Sequence, residues 1–184
     1  MKNIILTFFF TLLFFSINTG QLHGQQSEID INLHANFNRA VKLFNSKSYA
    51  AAQKYFVKVS ENVKNRTTLK ADADYYDAIC EIRLNKIDAD KKVLNFVDNY
   101  PNSNKKDKAY FNVGNYYFAN KKAAYALKWY SKVNSDALSD NNKKELTFKM
   151  GYAFLSTKNL DLAKNKFVTL INDSKYGNDS RYYF

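Results

Sequence analysis

Cysteine, proline, histidine and glycine are all scarce: the 184 residues hold one, one, two and five of them. A lone cysteine, Cys80, excludes an intramolecular disulfide framework and any CxxC metal or redox motif. His23 falls in the leader described below and His34 stands alone, so histidine catalysis and a His-rich metal site lack material. There is no glycine-rich phosphate loop, no HExxH and no GxSxG. The expectation is a non-enzyme with no catalytic, cofactor-binding or metal residues and no cofactor. Asp77 and Glu81, one helical turn apart, are the only general acid/base set left, so a carboxylate-dependent enzyme using them is the one catalytic alternative.

Few glycines and the single proline, Pro101, also disfavour a many-stranded sheet protein and suit long helices with short connections. What is abundant is aromatic: 14 Tyr and 15 Phe need somewhere to be buried, which argues against disorder.

Residues 1–24 stand apart from the fold. Met1-Lys2-Asn3 is a short positive start, Ile4 to Ile17 an apolar run and Asn18 to Gly24 a small, polar tail. That is the layout of a secretory signal peptide, cleaved after Gly24 or alternatively Gly20. The apolar run falls short of the roughly 20 residues a bilayer span needs, although an uncleaved anchor is the alternative. No cysteine lies near the cleavage region to carry a lipid. Residues 25–30 form a lead-in.

Export changes the meaning of the charge. The formal net charge is +11, and among charged residues the leader removes only Lys2. A basic cytoplasmic chain would raise nucleic acid as a partner. An exported one meets lipid headgroups, anionic glycans and other proteins, so no nucleic acid is expected. The lysines are scattered, with only KNR, KK and NKK clusters, as on a solvated helical exterior.

A step of 37 residues organises the rest. It joins Ala52, Ala89, Ala126 and Ala163; Phe56, Val93, Tyr130 and Phe167; and Val59, Phe96, Val133 and Leu170. Upstream it joins Ala40, Asp77, Gly114 and Gly151, then Leu43, Cys80, Tyr117 and Phe154. Within one unit, Tyr110, Val113, Gly114 and Tyr117 follow one helical face, and Ala126, Tyr130 and Val133 a second, after a break at Asn120-Lys121-Lys122. Small residues sit where two antiparallel helices must approach closely, and Gly114 reads as a packing notch rather than a joint.

These columns resemble the tetratricopeptide repeat, which spaces aromatic, leucine, glycine, tyrosine, alanine, aromatic and alanine residues at fixed offsets and often closes with proline. The third unit matches at Tyr110, Val113, Gly114, Tyr117, Ala126, Tyr130 and Val133; the fourth at Met150, Gly151, Phe154, Ala163, Phe167 and Leu170, departing at Thr147. The first keeps Ala40, Leu43, Tyr49, Ala52, Phe56 and Val59. The second has Asp77 and Cys80 in place of the small and tyrosine residues, and it carries the closing proline in Tyr100-Pro101-Asn102-Ser103. The period and this closure are similar to exported envelope members of the BamD and YbgF type. The Phe-rich leader followed by Gln, with heavy use of Lys and Asn, looks like a Bacteroidetes export.

The resemblance implies an all-α, right-handed superhelical solenoid of antiparallel helix pairs. Four units fall at about 33–66, 70–103, 107–140 and 144–177 within 31–180, and 181–184 starts a truncated fifth. Ser27-Glu28-Ile29-Asp30, Asn104 with Asp107, Asp140 and Asp179 are the expected helix-start signals. Tyr182-Tyr183-Phe184 is the reverse of a polar cap, so a longer array, a partner or a second copy is expected to cover that end.

The resemblance also assigns a concave face, with partner-binding candidates Phe111, Asn112, Asn115 and Phe118 in the third unit and Phe148, Lys149 and Tyr152 in the fourth. Asparagines between aromatics suit an extended peptide. The Lys/Asn clamp by which some relatives grip a carboxylate is not reproduced. For Phe37, Phe111 and Phe148 the alternative is packing against the neighbouring unit. Asp72, Asp74, Asp77 and Glu81 suit either a cation or basic peptide, or local pairing with lysine. Cys80 and Trp129 read as core fillers.

The expected function is a scaffold or adaptor between proteins in the bacterial periplasm or the outer-membrane assembly or secretion machinery. Its partners would be envelope proteins or peptides, with peripheral outer-membrane association and a homo-oligomer through the C-terminal face as further expectations. The alternative is a structural spacer or oligomerisation segment of a longer envelope protein.

Overall fold

A computed structural model describes residues 31–63 and 67–183. The expected signal peptide and lead-in, the Ser27–Asp30 capping box, the KNR cluster and Phe184 lie outside the described residues. Among those described there is helix and no strand. The helices are α1 (described over 31–45), α2 (Tyr49–Asn62), α3 (Thr68–Arg83), α4 (Ala89–Asn99), α5 (Lys106–Ala119), α6 (Ala123–Tyr130), α7 (Asp140–Ser156), α8 (Leu160–Val168) and α9 (Gly177–Tyr182), with a 3-10 turn at Ser135–Ala137. No helix among them is long and apolar enough to cross a membrane.

The repeated columns form the core. Ala52, Ala126 and Ala163 are fully buried, as are Phe56, Val93 and Phe167, with Tyr130 nearly so. A side chain of that size contributes about 1.5–3 kcal/mol when taken from water, so each unit rests chiefly on these contacts. The glycine column shows why it must be small. A Cβ built on Gly114 would lie 2.4 Å from the Tyr130 ring, and one on Gly151 would lie 2.8 Å from the Phe167 ring. Both glycines are therefore packing notches, each filled by the aromatic residue 16 positions later.

The second unit departs in a compensated way. Asp77 occupies the notch column and Val93 replaces the aromatic opposite it, which leaves room for the larger side chain. The buried Asp77 carboxylate accepts from Gln53 Nε2 at 2.6 Å and pairs with Lys92 Nζ at 2.8 Å. Burial of a charge is tolerable only with such partners.

Short turns fold consecutive helices back on each other. The turns inside the units have one recurrent geometry: Lys47, Lys121 and Lys158 adopt φ of 63°, 59° and 63°. Each closes a helix C-terminus, with Ser48, Lys122 and Asn159 donating backbone N–H to Leu43, Tyr117 and Phe154 carbonyls at 2.9 Å. In the second unit the turn is longer, with Asn85 and Asp88 both at positive φ and α4 beginning only at Ala89.

Cross-links between helices give their directions. Gln53 near the start of α2 bonds Asp77 and Glu81 late in α3, while Ser60 near its end bonds Asp74, early in α3. These helices are antiparallel. Asn112 Nδ2 donates to Tyr75 OH at 3.0 Å, and Tyr116 OH bonds Asn85 just past α3, so α3 and α5 run the same way. The turns 46–48, 84–88 and 120–122 consequently share one end of the molecule. Phe111 clusters with Leu146, while Phe118, further along α5, lines a cavity with Lys149 and Tyr152 further along α7, so these helices also run the same way and the turn 157–159 lies at that end too.

Helix starts differ from expectation. Asn104 and Asp107 do not cap α5, whose first residue follows Lys105; Asp107 Oδ1 instead accepts the Asn134 backbone N–H at 2.6 Å, tying α5 to the next connection. Asp140 is the first residue of α7 rather than its cap, which is Ser139. The cap of α3 is Thr67, whose side chain accepts from Lys70 N. Asp179 lies inside α9, which begins at Gly177, four residues before Arg181 and 37 after Asp140.

Candidate functional site

The late part of α5, the middle of α7 and the loop before α9 line an open cavity of about 500 Å³. Phe118, Phe148, Tyr152 and Tyr176 wall it, with Glu145, Lys149 and Lys175 also lining it. Phe118, Phe148, Lys149 and Tyr152 are four residues the resemblance assigned to binding.

Each wall is held in place. The Phe148 ring lies 4.9 Å from Tyr152 and 4.6 Å from Tyr176, and Tyr152 stands edge-on to the buried Phe167 at 5.5 Å. Lys149 Nζ donates to Asn115 Oδ1 at 3.0 Å, bonds Glu145 one turn back, and lies 5.7 Å above the Phe118 ring. Its charge is thus balanced at the rim. The loop is set by Asp173, whose Oδ1 accepts backbone N–H from Lys175 and Tyr176, each at 2.9 Å, while Oδ2 pairs with Lys144 at 2.8 Å. Those bonds, with Lys144 foremost, hold the Asp173 carboxyl down at about 2. Gly177 completes the loop because a Cβ there would meet the Ile171 carbonyl oxygen at 2.8 Å.

The other selected residues lie elsewhere. Phe111 is 4% exposed and packs with Ala126, Tyr130, Leu138 and Leu146, so it is core between the third and fourth units. Phe37 packs against Phe56 and against Tyr76 of the next unit. Asn112 is engaged on both sides of its amide, donating to Tyr75 OH and Lys108 O and accepting from Arg83 at 3.4 Å. Asn115 Oδ1 accepts from Tyr130 OH at 2.8 Å as well as from Lys149. These amides brace neighbouring units. Tyr176 and Lys175 were not selected, because they belong to a connection rather than a repeat column. Their only signal was the Asp173-Ser174-Lys175-Tyr176-Gly177 turn pattern.

The acidic group is paired throughout. Asp72 meets Lys105 at 3.3 Å, Asp74 accepts from Ser60 and from Tyr100 OH at 2.6 Å, and Glu81 meets Lys92 at 3.0 Å. No group of three or more His, Cys, Asp or Glu among the described residues is placed to hold a metal ion. Cys80 is fully buried, and burial followed by the nearby Asp77 charge pushes its thiol up to about 12. Trp129 lies in the core beside Tyr110.

The fold by itself defines an all-α, repeat-like protein of packed neighbouring helices, with an aromatic cavity at one stack position. Comparison with protein-family models and with curated proteins finds no match to either.

Proposed function

We propose that the chain is a non-catalytic scaffold of the tetratricopeptide type, exported to the bacterial periplasm, where it holds an envelope protein or peptide in the aromatic cavity. The observation that carries this reading is the wall of Phe118, Phe148 and Tyr152, drawn from two successive first helices at the positions the repeat assigns to ligand contact. Its volume of about 500 Å³ and largely hydrocarbon lining suit apolar side chains of an extended segment. The engagement of Asp77 and Glu81 by Gln53 and Lys92 supports the non-catalytic part, since both carboxylates are committed to structure. The solenoid arrangement and a place in outer-membrane assembly or secretion belong to the same proposal.

A photocrosslinker replacing Phe118 in the native protein in living cells tests it. One reproducible envelope protein should be captured, and it should disappear when the probe moves to Lys128 on the exposed side of α6. The second reading, a spacer or oligomerisation segment, draws on Tyr182, which is 82% exposed on the last described helix. Self-adducts alone would favour it.

A further inference from the structure

The end of the molecule formed by the turns within units combines two independent features. First, it is rich in lysine, most of it without an ion-pair partner among the described residues. Lys47, Lys121 and Lys158 are exposed and have no carboxylate partner among the described residues; Lys122 lies in the same turns, as does Lys86, which pairs with Glu81 at 3.7 Å and donates to Gln53 Oε1 at 2.8 Å. At the connections between units Lys105 pairs with Asp72, Lys143 with Asp136 and Lys144 with Asp173, while Lys106, Lys132 and Lys175 make no ion pair among the described residues. The acids near the turn end are Glu81, shared by Lys86 and Lys92, and Asp88, tied to Lys91, together with Asp90 and Asp161.

Second, large apolar side chains project there. Ile87, at the tip of the long turn, is 93% exposed, Leu160 at the start of α8 is 64% exposed, and Tyr125 near the start of α6 is 57% exposed. Backbone geometry adds weight. Three turns place lysine at a left-handed position that glycine fills without steric penalty. Strain of that kind at a repeated position points to a use for the side chain.

We propose that this edge is the face the protein lays against an anionic lipid bilayer, with Lys47, Lys121 and Lys158 meeting headgroup phosphates and Ile87 and Leu160 entering the acyl boundary. Charge alone fits any polyanion. The apolar tips between the charges select a lipid surface, because only a bilayer offers phosphate and hydrocarbon within one depth of contact. Tyr125 suits the same interfacial layer, its ring on the apolar side and its hydroxyl in water. The cavity reaches this edge at Phe118, whose carbonyl accepts the Lys121 N–H, while its other lining residues lie on α7 and in the loop before α9, so Lys158→Gln and Ile87→Trp test the edge without touching the cavity.

The test is co-sedimentation of the exported chain with vesicles of phosphatidylcholine alone and of phosphatidylcholine with phosphatidylglycerol. Binding is expected only to the second, weakening as salt rises, and falling about fivefold for each of Lys121→Gln and Lys158→Gln. Lys54→Gln and Lys128→Gln, on the exposed faces of α2 and α6, should leave it unchanged. Ile87→Trp should show a blue-shifted emission on the anionic vesicles. Absence of binding, equal loss with the Lys54 and Lys128 variants, or binding without the emission shift would each overturn the proposal. In the last case, an equal affinity for soluble heparin would identify a polyanion surface instead.

Discussion

Gly114 and Tyr130 illustrate how one residue sets the distance between two helices. The Tyr130 ring cannot swing away from an added methyl group, because its hydroxyl is anchored on Asn115 at 2.8 Å and its flanks are buried. Gly114→Ala should therefore cost about 1–3 kcal/mol, the usual range for overpacking, read from urea unfolding. Gly151→Ala should cost less, since the Phe167 ring lies at 2.8 Å rather than 2.4 Å and has no polar anchor. Asp173 gives a pH-dependent prediction. Its folded pKa, about 2, lies below the ordinary aspartate value of about 3.9, so its contribution is present above that ordinary value and is lost as pH falls through about 2. Between those limits the wild type should lose stability more steeply than Asp173→Asn, measured by melting temperature against pH. Much at this scale was legible: the glycine notch follows from a small residue facing an aromatic column. The engagement of Asn112 and Asn115 was not, because an amide suited to a peptide backbone is equally suited to a neighbouring helix, and only geometry distinguishes them.

Helix pairs and their turns are where the 37-residue spacing is most visible. α6 and α8 begin 37 residues apart, and the left-handed lysines of the third and fourth units keep the same step. The second unit shows what happens when a column changes: its turn lengthens, α4 loses the opening turn that α2, α6 and α8 have, and Asp77 takes partners from α2 and α4. Helix starts were poorly legible, since Asp107 finds a partner across the fold and a cap such as Thr67 depends on where the preceding connection ends. The turn geometry carries a direct test. Lys121→Gly should stabilise the protein by about 0.5–1 kcal/mol in urea unfolding, because relief of left-handed strain outweighs the extra freedom of the unfolded chain. The same variant should bind anionic vesicles less well. Stability and lipid contact would then move in opposite directions at one residue.

At the scale of the molecule, the repeat register predicted an all-α chain, and the described residues are helical without strand. The resemblance to the tetratricopeptide repeat assigned contact positions on α5 and α7, of which Phe118, Phe148, Lys149 and Tyr152 line the cavity. It left Phe111 open between partner contact and core, and it did not reveal that Tyr176 forms the far wall, because the first depends on the depth of the interface between units and the second on a loop outside the periodic columns. A binding role for that cavity is the central claim, and the crosslink at Phe118 tests it best when paired with a change on the opposite wall. In cells, the yield of a single envelope-protein adduct from the Phe118 probe should fall at least about tenfold when Tyr152→Ser is introduced, an effect the size of losing one buried aromatic anchor. The melting temperature of the variant should show that the fold persists. An adduct of equal yield in the Tyr152→Ser protein, or the same adduct from a probe at Lys128, would contradict the claim that this cavity is where the partner binds.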